Sequence, residues 1–140
     1  MMKQTTTHRP TILVPANRRE QFLPTLFGQR LPIVAENTVY TMMERLSPSD
    51  YRDGFWNFYE RDSEPLYLAP TSRPSFRIES DLTEFRGQVS ADAAGIAATL
   101  FALSHLSVQF ESELMQQRFF RLRIYSFHDP EVTKILPVSD

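Results

Sequence analysis

There is no cysteine anywhere in the 140 residues. That single absence removes disulfides, thiolate metal ligands and a thiol nucleophile together, and it fits a reducing compartment. Glycine is scarce too, four residues in all, which leaves little material for a phosphate-cradling loop. The GxSxG, HExxH, Walker A and dinucleotide glycine patterns are missing. With only His8, His105 and His128 available, a transition-metal site would need two of them beside carboxylates at short spacing, and the sequence has no such cluster. The opening MMKQTTTHRP lacks the apolar stretch of about 7 to 15 residues that a secretory signal requires, and no apolar run reaches roughly 18 residues. These absences predict a cytoplasmic protein without cofactor, metal or membrane span, and they argue against an enzyme.

What the chain does have is enough apolar material for one core: 41% hydrophobic residues, with eleven Phe, five Tyr and one Trp. The length is that of a single domain. Residues 1–14 are expected to form a flexible N-terminal arm, although 11–14 also read as a short strand stopped by Pro15, and residues 15–140 a single domain. Asn17 with Glu20 has the form of a capping box before Phe22, Leu23, Leu26 and Phe27, Gly28 stops that helix, and Pro24 is expected to kink or split it. Val39, Met42, Met43 and Leu46 predict a second helix over 36–46.

From Phe55 the period changes to that of strands. Residues 55–59, 66–69, 75–79 and 85–89 predict four closely spaced antiparallel strands in one meander. Ser90 then caps a helix that is apolar nearly all round, with Asp92 in its first turn at the positive end of the dipole. A last long helix is expected over 111–127, and Asp129-Pro130 starts a short one. The fold class is therefore α+β: one small antiparallel sheet of about four strands, flanked by several helices, the two long ones C-terminal.

No catalytic constellation survives inspection. Ser104 and His105 are neighbours on a helix and project about 100° apart, so they form no nucleophile–base dyad. His105 reads more simply as a satisfied histidine of a buried helix. Glu111 and Glu113 diverge in the same way. The more productive feature is the last helix, where Arg118, Arg121, Tyr125 and His128 share one face while Leu114, Met115, Phe119 and Leu122 line another. Arginine suits bidentate contact with carboxylate or phosphate, so this face, with Arg123, supports a nucleic-acid-binding alternative; its plainer reading is a solvated face paired with Glu111 and Glu113.

In order and spacing, several segments together resemble the antirestriction proteins of plasmids and genomic islands. They are FLPTLFG at 22–28, MERL at 43–46, DGFWNFY at 53–59, YLAP at 67–70, SADAAGIAA at 90–98 with Ser104-His105, FFRLRIY at 119–125 and DPE at 129–131. The chain departs from that family's pattern in lacking cysteines after Leu46 and within 107–112, and glycines in the turn at 61–65. The resemblance implies relief of type I restriction of incoming DNA. It makes the type I complex, or a host DNA-processing protein associated with it, the expected partner. The polar positions that match the family are His105, Glu111, Arg121, Arg123 and Asp140, with Trp56 and Tyr125 as aromatic anchors.

Charge arithmetic bears on how such a protein acts. Duplex DNA carries one negative charge per about 1.7 Å, so a mimic spanning roughly 35 Å needs on the order of 20 net negatives. This chain has a formal charge of −2, and its acidic residues alternate with arginines, as in Glu84-Phe85-Arg86. Protein binding is expected, rather than DNA mimicry.

Overall fold

Two periodicities alternate along residues 11–136, the part of the chain that the computed structural model describes. In chain order they give β1 (Ile12–Leu13), a 3-10 turn (Ala16–Arg18), α1 (Arg19–Phe27), α2 (Pro32–Leu46), β2 (Trp56–Arg61) and β3 (Glu64–Pro70). There follow β4 (Ser75–Ile78), β5 (Gly87–Ser90), α3 (Ala91–Gln109), α4 (Glu113–Ser126) and α5 (Pro130–Ile135). The class is α+β, and the strands are antiparallel throughout.

The four expected strands do not form one meander. β2 and β3 join β1 in a three-stranded sheet of order β1-β2-β3, while β4 and β5 make a separate pair. Proline sets the break: Pro70 ends β3 and Pro74 precedes β4, and neither offers a ladder donor. Residues 11–14, read both as arm and as strand, belong to the sheet, since Ile12 and Leu13 pair with Glu60 and Tyr59 and the Val14 N–H donates to Phe58 O at 2.8 Å.

Helix starts also differ from expectation. Asn17 makes no capping box; it lies in the 3-10 turn, and Arg18 stands at the N-cap of α1 without a side-chain bond. Helix α1 runs through Pro24 without splitting, because the carbonyl deprived of a partner is that of exposed Glu20, which water can satisfy. Helix α2 begins at Pro32, earlier than expected, where the fixed φ of proline suits the first turn.

Helix α3 is the centre of the molecule, packed against α2, α4, α5 and strand β3. Its N-cap is as expected, with the Ser90 hydroxyl accepting from Ala93 N at 3.0 Å. It is long and apolar enough to cross a membrane by composition, but here it is the core helix, buried from Ala93 to Leu100 without a break. Small residues let it approach β3 closely: a Cβ on Gly95 would sit 2.5 Å from Ala69 Cα. At that separation Thr99 serves the outer edge of β3, its hydroxyl accepting from Leu68 N at 3.4 Å and lying 2.8 Å from Gly95 O. A strand edge that would otherwise invite pairing is thus closed by a helix.

The β2–β3 hairpin turns through Asp62 (φ 54°) and Ser63 (φ 65°), the left-handed backbone of a primed two-residue turn. Ser63→Gly is expected to raise stability by about 0.5 kcal/mol by relieving the left-handed cost to a serine. Thermal unfolding of the two proteins at one pH measures it.

Candidate interaction surface

The cap of α4 is the Ser112 hydroxyl, which accepts from Met115 N at 3.1 Å, and its core face buries Met115, Leu122 and Ser126. The adjoining face carries Arg118, Arg121 and Tyr125, together as their spacing requires, but it lies against the β2–β3 hairpin rather than in solvent. Arg118 donates to Glu64 Oε1 at 2.7 Å and to Thr25 O at 3.1 Å. That hydrogen bond holds the Glu64 carboxyl below its usual range. Arg121 clamps the hairpin's end, donating to Arg61 O at 2.6 Å and Pro65 O at 3.2 Å. The Tyr125 ring stacks 6.2 Å from that of Tyr67, with the Arg61 guanidinium 5.6 Å from its centroid.

Arg123 sits on the opposite flank, donating to Leu136 O at 2.9 Å and Ser126 Oγ at 3.2 Å and stacking over Phe127. The three arginines of the nucleic-acid alternative therefore occupy two flanks of α4. Arg118 is held by Glu64 and the Thr25 carbonyl, Arg121 by the carbonyls of Arg61 and Pro65, and Arg123 by Leu136 O and Ser126 Oγ.

A third face of α4 points away from the molecule and is apolar. Phe120, Ile124 and Phe127 are 55%, 64% and 47% exposed, too much for a helix that contributes them to a core. At i, i+4 and i+7 they share one side. Sequence reasoning named the apolar set Leu114, Met115, Phe119 and Leu122 and passed over this one. The signal was present as a second apolar phase in FFRLRIYSF.

The other candidate residues scatter. His105 is exposed, contrary to its reading as a buried structural histidine; it falls near the C-terminal end of α3, where that helix turns a side to solvent, beside exposed Ser104. Glu111 lies before α4, in the α3–α4 turn, with φ 51°. Trp56 is buried, its Nε1 donating to the Tyr51 hydroxyl at 3.1 Å. His128 is exposed just beyond α4. Asp140 and His8 lie outside the described residues. Arg18 and Arg19, which oppose the dipole of α1, tie it to β2: Arg18 bonds buried Glu60 at 2.6 Å, and Arg19 donates to Trp56 O at 2.9 Å and covers the Phe58 ring. Among the described residues no three metal-ligating side chains converge.

One polar cluster had no signature in the sequence. The Tyr67 hydroxyl donates to Asp92 Oδ1 at 2.6 Å in the first turn of α3. Burial raises the Asp92 carboxyl above its ordinary value, the Tyr67 bond opposing, and Asp129 nearby raises it further. A carboxyl whose folded pKa exceeds its unfolded one subtracts stability once it ionises, so this cost appears as pH rises through that window and persists above it. Asp92→Asn, which still accepts from Tyr67, is expected to melt above wild type at pH 7 and to converge with it as pH falls through the carboxylate range. Paired melting curves from pH 3 to pH 7 measure this.

Helix α3 is closed against a three-stranded sheet and α4 is clamped over the hairpin, and the sequence that builds them matches a known family. Residues 49–140 match the model of that family, described as antirestriction protein, and the chain belongs to it. It is 38% identical over 132 residues to antirestriction protein KlcA of Escherichia coli, spanning 91% of this chain and 92% of that relative. A second E. coli KlcA matches at 36% over 128 residues, 87% of each. A solved structure of the KlcA and ArdB proteins superposes with a TM-score of 0.78 at 36% identity, over 94% of this chain and 96% of that one. Those proteins show a novel fold and antirestriction activity against type I DNA restriction systems in vivo but not in vitro.

Proposed function

We propose that this protein relieves type I restriction of incoming DNA in the cytoplasm by binding a protein, either the restriction complex or a host DNA-processing protein associated with it. It acts without catalysis and without imitating DNA. The observation that carries this reading is the disposition of its acids. Asp81, Asp50, Glu79 and Glu64 pair with Arg45, Arg73, Arg77 and Arg118, so acidic groups alternate with cations over the surface instead of forming a stripe. Interleaved charge of this kind suits a protein interface of mixed polarity. Activity of KlcA and ArdB in vivo but not in vitro supports a requirement for a component of the cell.

The nucleic-acid alternative is disfavoured because Arg118 and Arg121 spend their donors on Glu64 and backbone carbonyls. A titration of the purified protein against duplex and single-stranded DNA at about 50 mM salt tests the choice, since phosphate contacts are strongest there. No binding is expected. Tight binding that weakens steeply with salt would favour the DNA-shielding mechanism instead.

A further inference from the structure

We infer that the cleft between the α1–α2 loop and the α3–α4 turn receives one large apolar side chain of the partner protein, from a segment with an acidic residue on one side of it for Arg30 and a basic residue on the other for Glu111. The inference rests on the proposed function and names the chemistry of its partner. The cleft encloses about 300 Å³, at the small end of the range for binding clefts and enough for one large side chain. Buried Phe27 and Met115 make its floor and half-buried Leu31 and Leu114 its sides, while exposed Arg30 and Glu111 stand on its two loops.

Two observations point to an occupant. Elsewhere on the surface acids pair with arginines, as Asp81 does with Arg45 and Glu64 with Arg118. Arg30 and Glu111, by contrast, make no ion pair or side-chain hydrogen bond with each other or with any other described residue. The second observation is the backbone that carries Glu111. Helix α3 closes in a Schellman motif, Ser112 N donating to Ser107 O at 3.0 Å and Glu111 N to Val108 O at 3.4 Å. Glu111 holds its left-handed position, φ 51°, where glycine or asparagine is favoured. A glutamate there costs stability and makes no side-chain bond within the described fold to offset it, so its carboxylate is directed to a contact outside the fold.

A second copy of this chain does not fit. Two concave clefts cannot fill each other. Nor does any exposed large apolar side chain on the described surface have an acid within two residues on one side and a base within two on the other: Phe120 and Ile124 are flanked by arginine alone, Phe55 and Phe110 by an acid alone.

The test uses the full chain in cells that restrict unmodified phage. Glu111→Gly is expected to melt about 2–4 °C above wild type, because glycine removes the left-handed cost, and yet to lose about tenfold of the plating protection. Arg30→Glu should lose as much without a lowered melting temperature, while Lys134→Glu, the same charge reversal at another exposed site, should protect fully. A glutamate that serves the fold predicts the reverse for Glu111→Gly, a lowered melting temperature, and that result would overturn the inference. A photo-crosslinking residue at exposed Gln29, which also lines the cleft, should yield an adduct that is lost in the Glu111→Gly background. Mass spectrometry should place it on a segment of a restriction subunit or host DNA-processing protein in which a large apolar residue lies between an acid and a base. Absence of an adduct, an adduct on a second copy of this chain or on a segment without that pattern, or full protection by Glu111→Gly or Arg30→Glu would each overturn the inference. If wild type itself gives no protection, the proposed function fails and the crosslink still decides the cleft: an adduct on a segment of that pattern upholds it, and any other result overturns it.

Discussion

Gly95→Ala is expected to destabilise this protein by about 3 kcal/mol or more, enough to leave much of it unfolded at 37 °C. The reason is local and severe. The added methyl would lie 2.5 Å from Ala69 Cα, Ala69 Cβ and Leu68 O, and two of those three atoms are backbone with no rotamer to move. Relief requires α3 to withdraw from β3, which parts Thr99 from the Leu68 edge it serves and opens the interface that both elements bury. Helix propensity works the other way, favouring alanine by up to about 1 kcal/mol, so the sign of the result separates packing from propensity. Urea unfolding of the two proteins measures it; a variant as stable as wild type would mean that α3 does not approach β3 this closely.

The second large effect is expected at Arg121. Arg121→Ala should cost about 2–3 kcal/mol, because two carbonyls, Arg61 O and Pro65 O, lose charged donors at the end of a turn already held in the left-handed region. Arg121→Lys should recover less than half, since a single ammonium does not span both acceptors as the guanidinium fork does. A nucleic-acid contact predicts the opposite pattern: an unchanged melting temperature for both variants, and DNA affinity retained by lysine. Thermal unfolding of the pair, with DNA titration beside it, distinguishes the two roles.

Much of the fold was legible because it is written in local chemistry. Ser90 and Asp92 announce the start of α3, its run of small residues announces close packing, and Asp129 with Pro130 starts α5 as a cap and first-turn proline should. What escaped depends on partners distant in sequence. Arg18 meets Glu60 across 42 residues and Arg118 meets Glu64 across 54, so neither partner follows from local spacing. The division of four strands into two sheets was signalled locally, by Pro70 and Pro74 between β3 and β4, and was passed over. The exposed face of α4 was missed for another reason: the helix carries apolar residues in two phases, and the phase that feeds the core was taken for the whole.

The central claim is that this chain protects DNA from type I restriction through protein contact, and phage plating tests it most directly. Unmodified phage is plated on cells with an active type I system and on an isogenic strain lacking restriction, each with and without the protein, whose soluble expression is verified. The account predicts that plating efficiency rises by at least about tenfold in the restricting cells alone. Unchanged plating in restricting cells that contain the soluble protein would contradict it.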